Sequence, residues 1–577
     1  MKKNPPPPPL PPGGEVAFPA GKATTLELRD LPETQRRRVE TTDPTLSGAF
    51  EVDVNKQGDV PWAFLLISDI DRPFKAGDVG LVTFWARNAF SNTGSARMAV
   101  AVEQSARPKP KFVDIPVTVG TTWQRVDVPF VVPRDYDAGG TLFNIRLGYA
   151  KQRVQFAGVK VINYGTSVKV ENLPRVATSY AGREADAPWR AEALARIEQI
   201  RKGDLAIRVV DADGRPVAGA KVRATLKRHA FGFGTCVSMT LLKDGRDADR
   251  YRQTLKTLFN HAVIENELKW PPIAQRGYDN PDKLVQWCLD NGLAVRGHVL
   301  VWPSEGRLPP EVVKLGDQPE KLAAAIVEHI TRTVTRYRGK LIDWDVVNEP
   351  YAHHWAMDQL GGNDVMADWF RAAHATDPDV KLWINDYEIL ASGDMLDTPH
   401  QNHFFQTVQR LKELGAPVHG VGMQGHFGSN ITSPQNMLKI LDRFAALGVR
   451  IKVTELDIQL GDEALRSDFY RDLFITLFSH PSVDAIMQWG FWEGSHWIPP
   501  SALFARDWSL RPHGQVFLDL MKQWHTDATV ATGADGTAQV RGFLGEYEVE
   551  ATRPDGTTAK IAVTLPGEGA SVQVQIK

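Results

Sequence analysis

The chain has 577 residues, of which 42% are hydrophobic and 24% charged, and its 67 basic and 69 acidic side chains leave a formal net charge of −2. Near-neutrality argues against the basic surface that a nucleic-acid or anionic-membrane binder needs, and the length calls for several domains rather than one core. No apolar run is long enough to cross a bilayer. The two cysteines, Cys236 and Cys288, fit no metal-binding pattern, so neither metal nor cofactor is expected.

Residues 1–22 open with MKKNPPPPPLPPGG. The proline run predicts an extended, disordered tail. Its two lysines precede no apolar segment, so the stretch is not a complete signal peptide. Residues 23–168 alternate short β-forming runs with turn residues, as in FEVDVNK (50–56) and WQRVDVPFVV (123–132). That pattern predicts a β-sandwich or jelly roll. Residues 169–203 form a linker containing the helical stretch PWRAEALARIEQIRKG. Residues 204–228 read as a hairpin turning near DADGRP. Residues 528–577 return to strands with turns at Asp535-Gly536 and Asp555-Gly556, and they are expected to pair with 204–228 in one small β-sandwich.

Between them, residues 229–527 have another texture. Eight short apolar runs alternate with amphipathic helices, among them HAVIENELKW (261–270), AVRGHVLVW (294–302), IDWDVVNE (342–349), KLWINDYE (381–388), GVGMQGHF (420–427), RIKVTELDI (450–458) and AIMQWGFW (485–492). Eight βα repeats over about 300 residues predict a (β/α)8 TIM barrel. Chemistry in such a barrel sits at the C-terminal strand ends. Those ends carry Asn266, Lys269, His298, Trp302, Asn348, Glu349, Asn385, Asp386, Gln424, His426, Glu455, Asp457 and Trp489.

Two carboxylates in similar settings, Glu349 after strand four and Glu455 after strand seven, point to glycoside hydrolysis. One acid must hold a proton for the leaving oxygen, and the other must be ionised to attack the anomeric carbon. Strands four and seven lie across the barrel, which allows the roughly 5 Å separation of a retaining enzyme. Glu349 is then the acid/base, and Asn348 holds the sugar 2-hydroxyl.

The barrel resembles glycoside hydrolase family 10, the endo-β-1,4-xylanases and relatives. The resemblance rests on WDVVNE (344–349), VTELDI (453–458), ENELKW (265–270), GHVLVW (297–302), NDYE (385–388), MQGHF (423–427) and the pair Trp489 and Trp497, all in the family's order. It implies that Glu455 is the nucleophile, supported by His426 with Asp457 behind it. It also implies that Asn266, Lys269, His298, Trp302, Asn348 and Gln424 bind the glycone sugars, with Trp489 and Trp497 as walls. Two departures stand out. Pro303-Ser304-Glu305 replaces the usual His-Ser-Gln after LVW, and Glu388 replaces the usual Asn of NDYE.

Residues 23–168 resemble, in texture and position, the jelly-roll carbohydrate-binding modules joined to such barrels. Trp85, Arg146 and Tyr149 are their candidate sugar contacts. The expected molecule is a monomeric retaining endo-β-1,4-glycanase, foremost a xylanase, secreted or on the cell surface, with a cytoplasmic or periplasmic enzyme acting on short oligosaccharides as the alternative, taking a polysaccharide and neither nucleic acid nor membrane as partner. The alternatives are the same chemistry on another β-glycan or decorated xylan and, more distantly, glycan binding without turnover.

Overall fold

The computed structural model describes residues 7–18, 26–28, 34–41, 43, 46, 48–91, 95–106, 111–176 and 179–577. By packing the chain divides into two units. One comprises Met1–Ala181 with Ser392–Pro399 and Ser429–Thr432; the other holds Gly182–Ala391, His400–Gly428 and Ser433–Lys577.

The first unit is built from two antiparallel sheets. In one, the order is Thr34–Arg38, Phe50–Val54, Gln152–Asn163, Val79–Ser91, Gln124–Val131, with Glu15–Phe18 also paired to Gln152–Asn163. In the other it is Glu27–Leu28, Leu65–Asp69, Thr141–Arg146, Ala96–Gln104, Lys111–Val119. Alternate residues such as Val52, Val54, Val100, Val102, Phe143 and Ile145 share one buried core, the inner-face pattern of a sandwich. Phe18 meets Phe143 edge-on at 5.0 Å. Removing the Phe143 ring would cost about 3–5 kcal/mol. The expected structureless tail is corrected here. Glu15–Phe18 is a strand because Ala17 and Phe18 bury themselves in that core. Residues 1–6 and 19–22 of the expected tail lie outside the described residues.

The second unit contains the barrel. Its strands are β1 (Gly232–Val237), β2 (His261–Ile264), β3 (Ala294–Gly297), β4 (Asp343–Asn348), β5 (Lys381–Asp386), β6 (Gly420–Met423), β7 (Arg450–Ile458) and β8 (Val483–Gln488). All pair in parallel with their neighbours, and β1 closes the ring on β8 through Gly232↔Ala485. Most are buried along almost their whole length, as strands covered on both faces must be. The helix Pro319–Tyr337 shows how the outer layer is specified. Leu322, Ile326, Ile330, Thr333, Val334 and Tyr337 recur at three- and four-residue spacing and are all buried. Proline opens the helix and Gly339, at φ +71°, follows its end.

Charges inside the barrel are paired. The Arg296 guanidinium donates to Asp343 at 3.1 Å and to Asp345 at 2.6 Å, and Lys452 pairs with Asp343. Such pairs are expensive to break singly, because the survivor is left buried and uncompensated. At Gly297 a Cβ would lie 2.1 Å from the Trp344 ring, so only glycine lets β3 pass that indole.

The strand Lys202–Val210 lies between Thr537–Phe543 and Ala570–Gln575, and Lys221–His229 lies between Asp527–Ala531 and Gly545–Thr552. The expected hairpin over 204–228 is therefore corrected, since its two arms belong to different sheets. Both arms bury alternate residues, Leu205, Ile207 and Val209 in one and Val222, Ala224 and Leu226 in the other. Alternation marks a strand with one buried face but does not name its edge partner. The connection, closed by Asp211 N–H to Arg215 O at 2.9 Å, is longer than a tight hairpin loop.

Candidate active site

At the C-terminal ends of the barrel strands is a cleft of about 580 Å³. It is lined by Glu265, Asn266, Lys269, His298, Trp302, Arg307, Glu349, His353, Tyr387, Glu388, Gln424, His426, Glu455, Trp489 and Trp497. Strands β4 and β7 deliver the two carboxylates. Glu349 follows the last residue of β4 with φ 55°, a left-handed conformation that is uncommon for a non-glycine residue and turns the chain sharply at the strand end. Its N–H donates to Asn385 O at 2.8 Å, and its carbonyl accepts from His353 N–H at 3.0 Å, so the backbone is held on both sides. Glu455 lies within β7, and only 5% of its surface is exposed.

Three amides connect these acids. Asn385 Nδ2 donates to Glu455 Oε1 and to Asn348 Oδ1, both at 2.8 Å. Gln424 Nε2 donates to Glu349 Oε1 at 2.7 Å and to Asn348 Oδ1 at 3.4 Å. Thr454 Oγ1 donates to Asn385 Oδ1 at 2.6 Å and fixes which way that amide faces. Asn348 Oδ1 thus accepts twice, while its buried Nδ2 has no partner among the described residues. A buried donor left in that state is suited to a ligand hydroxyl. Gly422 makes room for the bridge, since a Cβ there would sit 2.1 Å from Asn385 Oδ1.

The acids differ in environment. Burial raises the Glu349 carboxyl to about 7; the Gln424 hydrogen bond opposes this, and the charges of Glu455 and Asp386 add to it. For Glu455, burial pushes upward as well, but the His426 hydrogen bond and the charges of His298, His426 and Lys269 outweigh it and bring the carboxyl down to about 2. His426 Nε2 lies 3.3 Å from Glu455 Oε2, and Nδ1 lies 2.9 Å from Asp457 Oδ2. Burial would strip the His426 proton, yet Asp457 and Glu455 hold it to about 10. Trp497 Nε1 donates to the same Asp457 oxygen at 2.8 Å, while 56% of Trp497 stays exposed. His298 Nδ1 is 2.8 Å from Asp345, its Nε2 is 4.0 Å from Glu455, and the Trp489 ring meets it edge-on at 5.5 Å.

At one side of the cleft, Lys269 Nζ donates to Asn266 Oδ1 at 2.9 Å and lies 5.4 Å from the centre of the Trp302 ring. Burial lowers the Lys269 ammonium and raises the Glu265 carboxyl. The barrel residues expected from sequence line the cleft except Asn348, Asn385, Asp386 and Asp457; Asn348, Asn385 and Asp457 stand just behind the lining as partners of Gln424, Glu455 and His426, and Asp386 lies 3.0 Å from His400. Asn385, named from sequence only as a strand end, touches Glu455 directly. Sequence reasoning gave no role to Glu265, Arg307, His353 or Tyr387, which line the cleft. His353 Nε2 lies 3.1 Å from Glu349 Oε2. The signal for Asn385 was its place at the end of β5; for His353 it was the four-residue spacing from Glu349. No group of three or more His, Cys, Asp or Glu side chains among the described residues could hold a metal ion.

In the first unit, the candidate sugar contacts are placed otherwise. Arg146 is buried, donating to Asp114 at 2.9 Å and to Asn144 at 3.2 Å. Tyr149 is buried beside Ala99 and Met395. Neither presents a face to solvent, which corrects the expectation for both. Trp85 is half-buried against Leu46, Ala49 and Ala157. An aromatic that is exposed there is Trp62, at 44%.

Residues 222–515 match the family described as Glycosyl hydrolase family 10. The chain is 35% identical over 387 residues to an anti-sigma-I factor of Acetivibrio thermocellus, covering 66% of this chain and 47% of that protein. It is 29% identical over 432 residues to endo-1,4-beta-xylanase 1 of Arabidopsis thaliana, covering 70% and 45% respectively. It is 35% identical over 223 residues to a beta-1,4-xylanase of Dictyoglomus thermophilum, covering 36% and 60%. The chain thus spans about half the length of the first two relatives. With the family match extending over the barrel that carries Glu349 and Glu455, the chain belongs to glycosyl hydrolase family 10.

Proposed function

We propose that the protein is a retaining endo-β-1,4-glycanase that hydrolyses xylan outside the cell by double displacement. The observation that carries this reading is the pair of carboxylates on one cleft, Glu349 held to about 7 and Glu455 held to about 2. Near neutral pH one keeps its proton while the other is an anion, the division of labour that glycoside cleavage needs.

In the first step Glu455 attacks the anomeric carbon as Glu349 passes its proton to the departing glycosidic oxygen. The C–O bond breaks and a glycosyl ester forms on Glu455. In the second step the ionised Glu349 takes a proton from water, the water oxygen attacks the same carbon, and the ester bond breaks. Glu349 ends protonated and Glu455 ionised, as they began. Its pKa falls while Glu455 is esterified, because one of the negative charges that raised it has gone. Asn348 Nδ2 donates to the sugar 2-hydroxyl, and that bond strengthens in the transition state. His426, held cationic by Asp457, keeps Glu455 ionised between turnovers.

The test is product release from unbranched xylan, arabinoxylan and mixed-linkage glucan, with Glu455→Gln alongside. Xylo-oligosaccharides from the wild type and none from the variant is the expected result. Activity on glucan alone would keep the mechanism and change the substrate. Binding without turnover on all three would overturn the hydrolase reading.

A further inference from the structure

The segment that departs from the family pattern, Trp302-Pro303-Ser304-Glu305-Gly306-Arg307, has a shape that gives the departure a use. Glu305–Arg307 form a single helical turn, and the Arg307 guanidinium carbon lies over the Trp302 ring, 4.1 Å from its centre. Arg307 lines the cleft beside Trp302 and Lys269. Its charge reaches inward, since it is among the groups that lower the Lys269 ammonium and the His353 imidazole and that oppose the rise of Glu349.

Other arginines of this unit have carboxylate partners, among them Arg296, Arg336, Arg410 and Arg450. Arg307 forms no ion pair with any described residue. Glu305, two positions away, does not line the cleft. A guanidinium resting on an indole is restricted in orientation, and its N–H groups remain free to meet a carboxylate through two parallel bonds. Neutral hydroxyls do not require a full charge, whereas an anion on the substrate would complete this one.

We infer that Arg307 binds the carboxylate of a uronic acid branch on the glycone part of the chain, so that the preferred substrate is an acidic, uronate-decorated xylan. The inference rests on the glycanase reading above and names its substrate more narrowly. It also fixes where the branch lies. Glu455 is the anion at the centre of the cleft, and Glu265 and Glu388 also line it; they repel a second anion there, so the uronate sits at the Arg307 rim and each cut falls at a constant distance from it.

Three xylo-oligosaccharides test this: one with a single uronosyl branch, the same compound with its carboxyl reduced to an alcohol, and an undecorated one. Binding is measured with full-length Glu349→Gln, alone and combined with Arg307→Gln or Arg307→Lys, and the cleavage site is mapped in the wild type. With Arg307 intact, the uronosyl compound should bind about tenfold tighter than its reduced twin, as one charge-assisted pair would provide. That ratio should fall to about one with Arg307→Gln, survive in part with Arg307→Lys, and shrink as salt is added. Equal affinities with Arg307 intact, a ratio unchanged by Arg307→Gln, or cuts scattered relative to the branch would each overturn the inference. If the charge preference holds but the wild type cleaves none of the three, the glycanase reading fails and the carboxylate recognition stands. Cleavage of the undecorated compound without any charge preference is the converse.

Discussion

The barrel has a cavity at each end. The mouth holds about 580 Å³ and the floor about 520 Å³. Both are lined by charged and histidine side chains, yet those charges are arranged in opposite ways. At the floor, Asp343 is paired with Lys452 and Arg296, and Asp484 with Arg450. Burial alone would raise the Asp343 carboxyl, but these cations outweigh it and lower it. His229 and His261 are held neutral by burial, near 3. At the mouth, Glu349 has no Lys or Arg partner among the described residues, and Glu455 faces an amide and two imidazoles. The density of charge is similar. What distinguishes the mouth is a pair of carboxylates kept in different protonation states. Pairing at the floor stabilises the fold; incomplete pairing at the mouth leaves groups able to react.

Substitutions that remove one carboxylate from each end should separate these roles. Glu349→Gln and Glu455→Gln should each lower kcat on xylan by roughly 10²–10⁴ or more, with unfolding little changed. Retained turnover in either would erase the contrast. Asp343→Asn should do the reverse. It leaves Lys452 and part of Arg296 buried without a partner, and a broken buried pair costs about 3–5 kcal/mol, read by denaturant unfolding. A loss under about 1 kcal/mol would show that the floor pairs do not hold the barrel.

The pH dependence sharpens the comparison further. In the proposed mechanism, hydrolysis needs Glu349 protonated and Glu455 ionised. The kcat/KM profile should therefore fall on the alkaline side as pH rises through about 7, and on the acid side only near 2. Because the charge of Glu455 helps raise Glu349, Glu349 should titrate below about 7 in Glu455→Gln, which NMR of the labelled side chain would detect. His426→Asn removes a cationic hydrogen-bond partner from Glu455, so the acid limb should move upward. An unmoved limb would mean that His426 does not set the ionisation of Glu455. The smallest effect is expected at the outer floor. Asp484→Asn breaks a half-exposed pair with Arg450, worth under about 1 kcal/mol, and should leave activity within about twofold.

The barrel and its acids were legible in the sequence because each parallel strand is a continuous apolar run and the polar residues that follow it stand at the mouth. Glu349, Glu455, His426 and Asp457 could be read from strand ends alone. Partners between strands could not. Pairing of the tail with 204–228 was expected and is found, yet alternation in 204–228 marks two strands without saying that they join different sheets rather than each other. Arg146 and Tyr149 have the chemistry of sugar contacts, but the sequence does not reveal that Asp114 and Met395 cover them. Arg307 is five residues beyond Trp302, and only the turn at Glu305–Arg307 shows that it returns over the indole.

In the proposed mechanism Glu455 becomes covalently bound to the sugar while Glu349 manages the proton. The most direct measurement is intact-protein and peptide mass spectrometry after incubation with an activated 2-deoxy-2-fluoro xylobioside, whose glycosyl-enzyme hydrolyses slowly. A single added glycosyl group is expected, located on the peptide containing Glu455 and absent in Glu455→Gln. Label on another side chain, or hydrolysis of xylan by an enzyme that never acquires label, would contradict that mechanism.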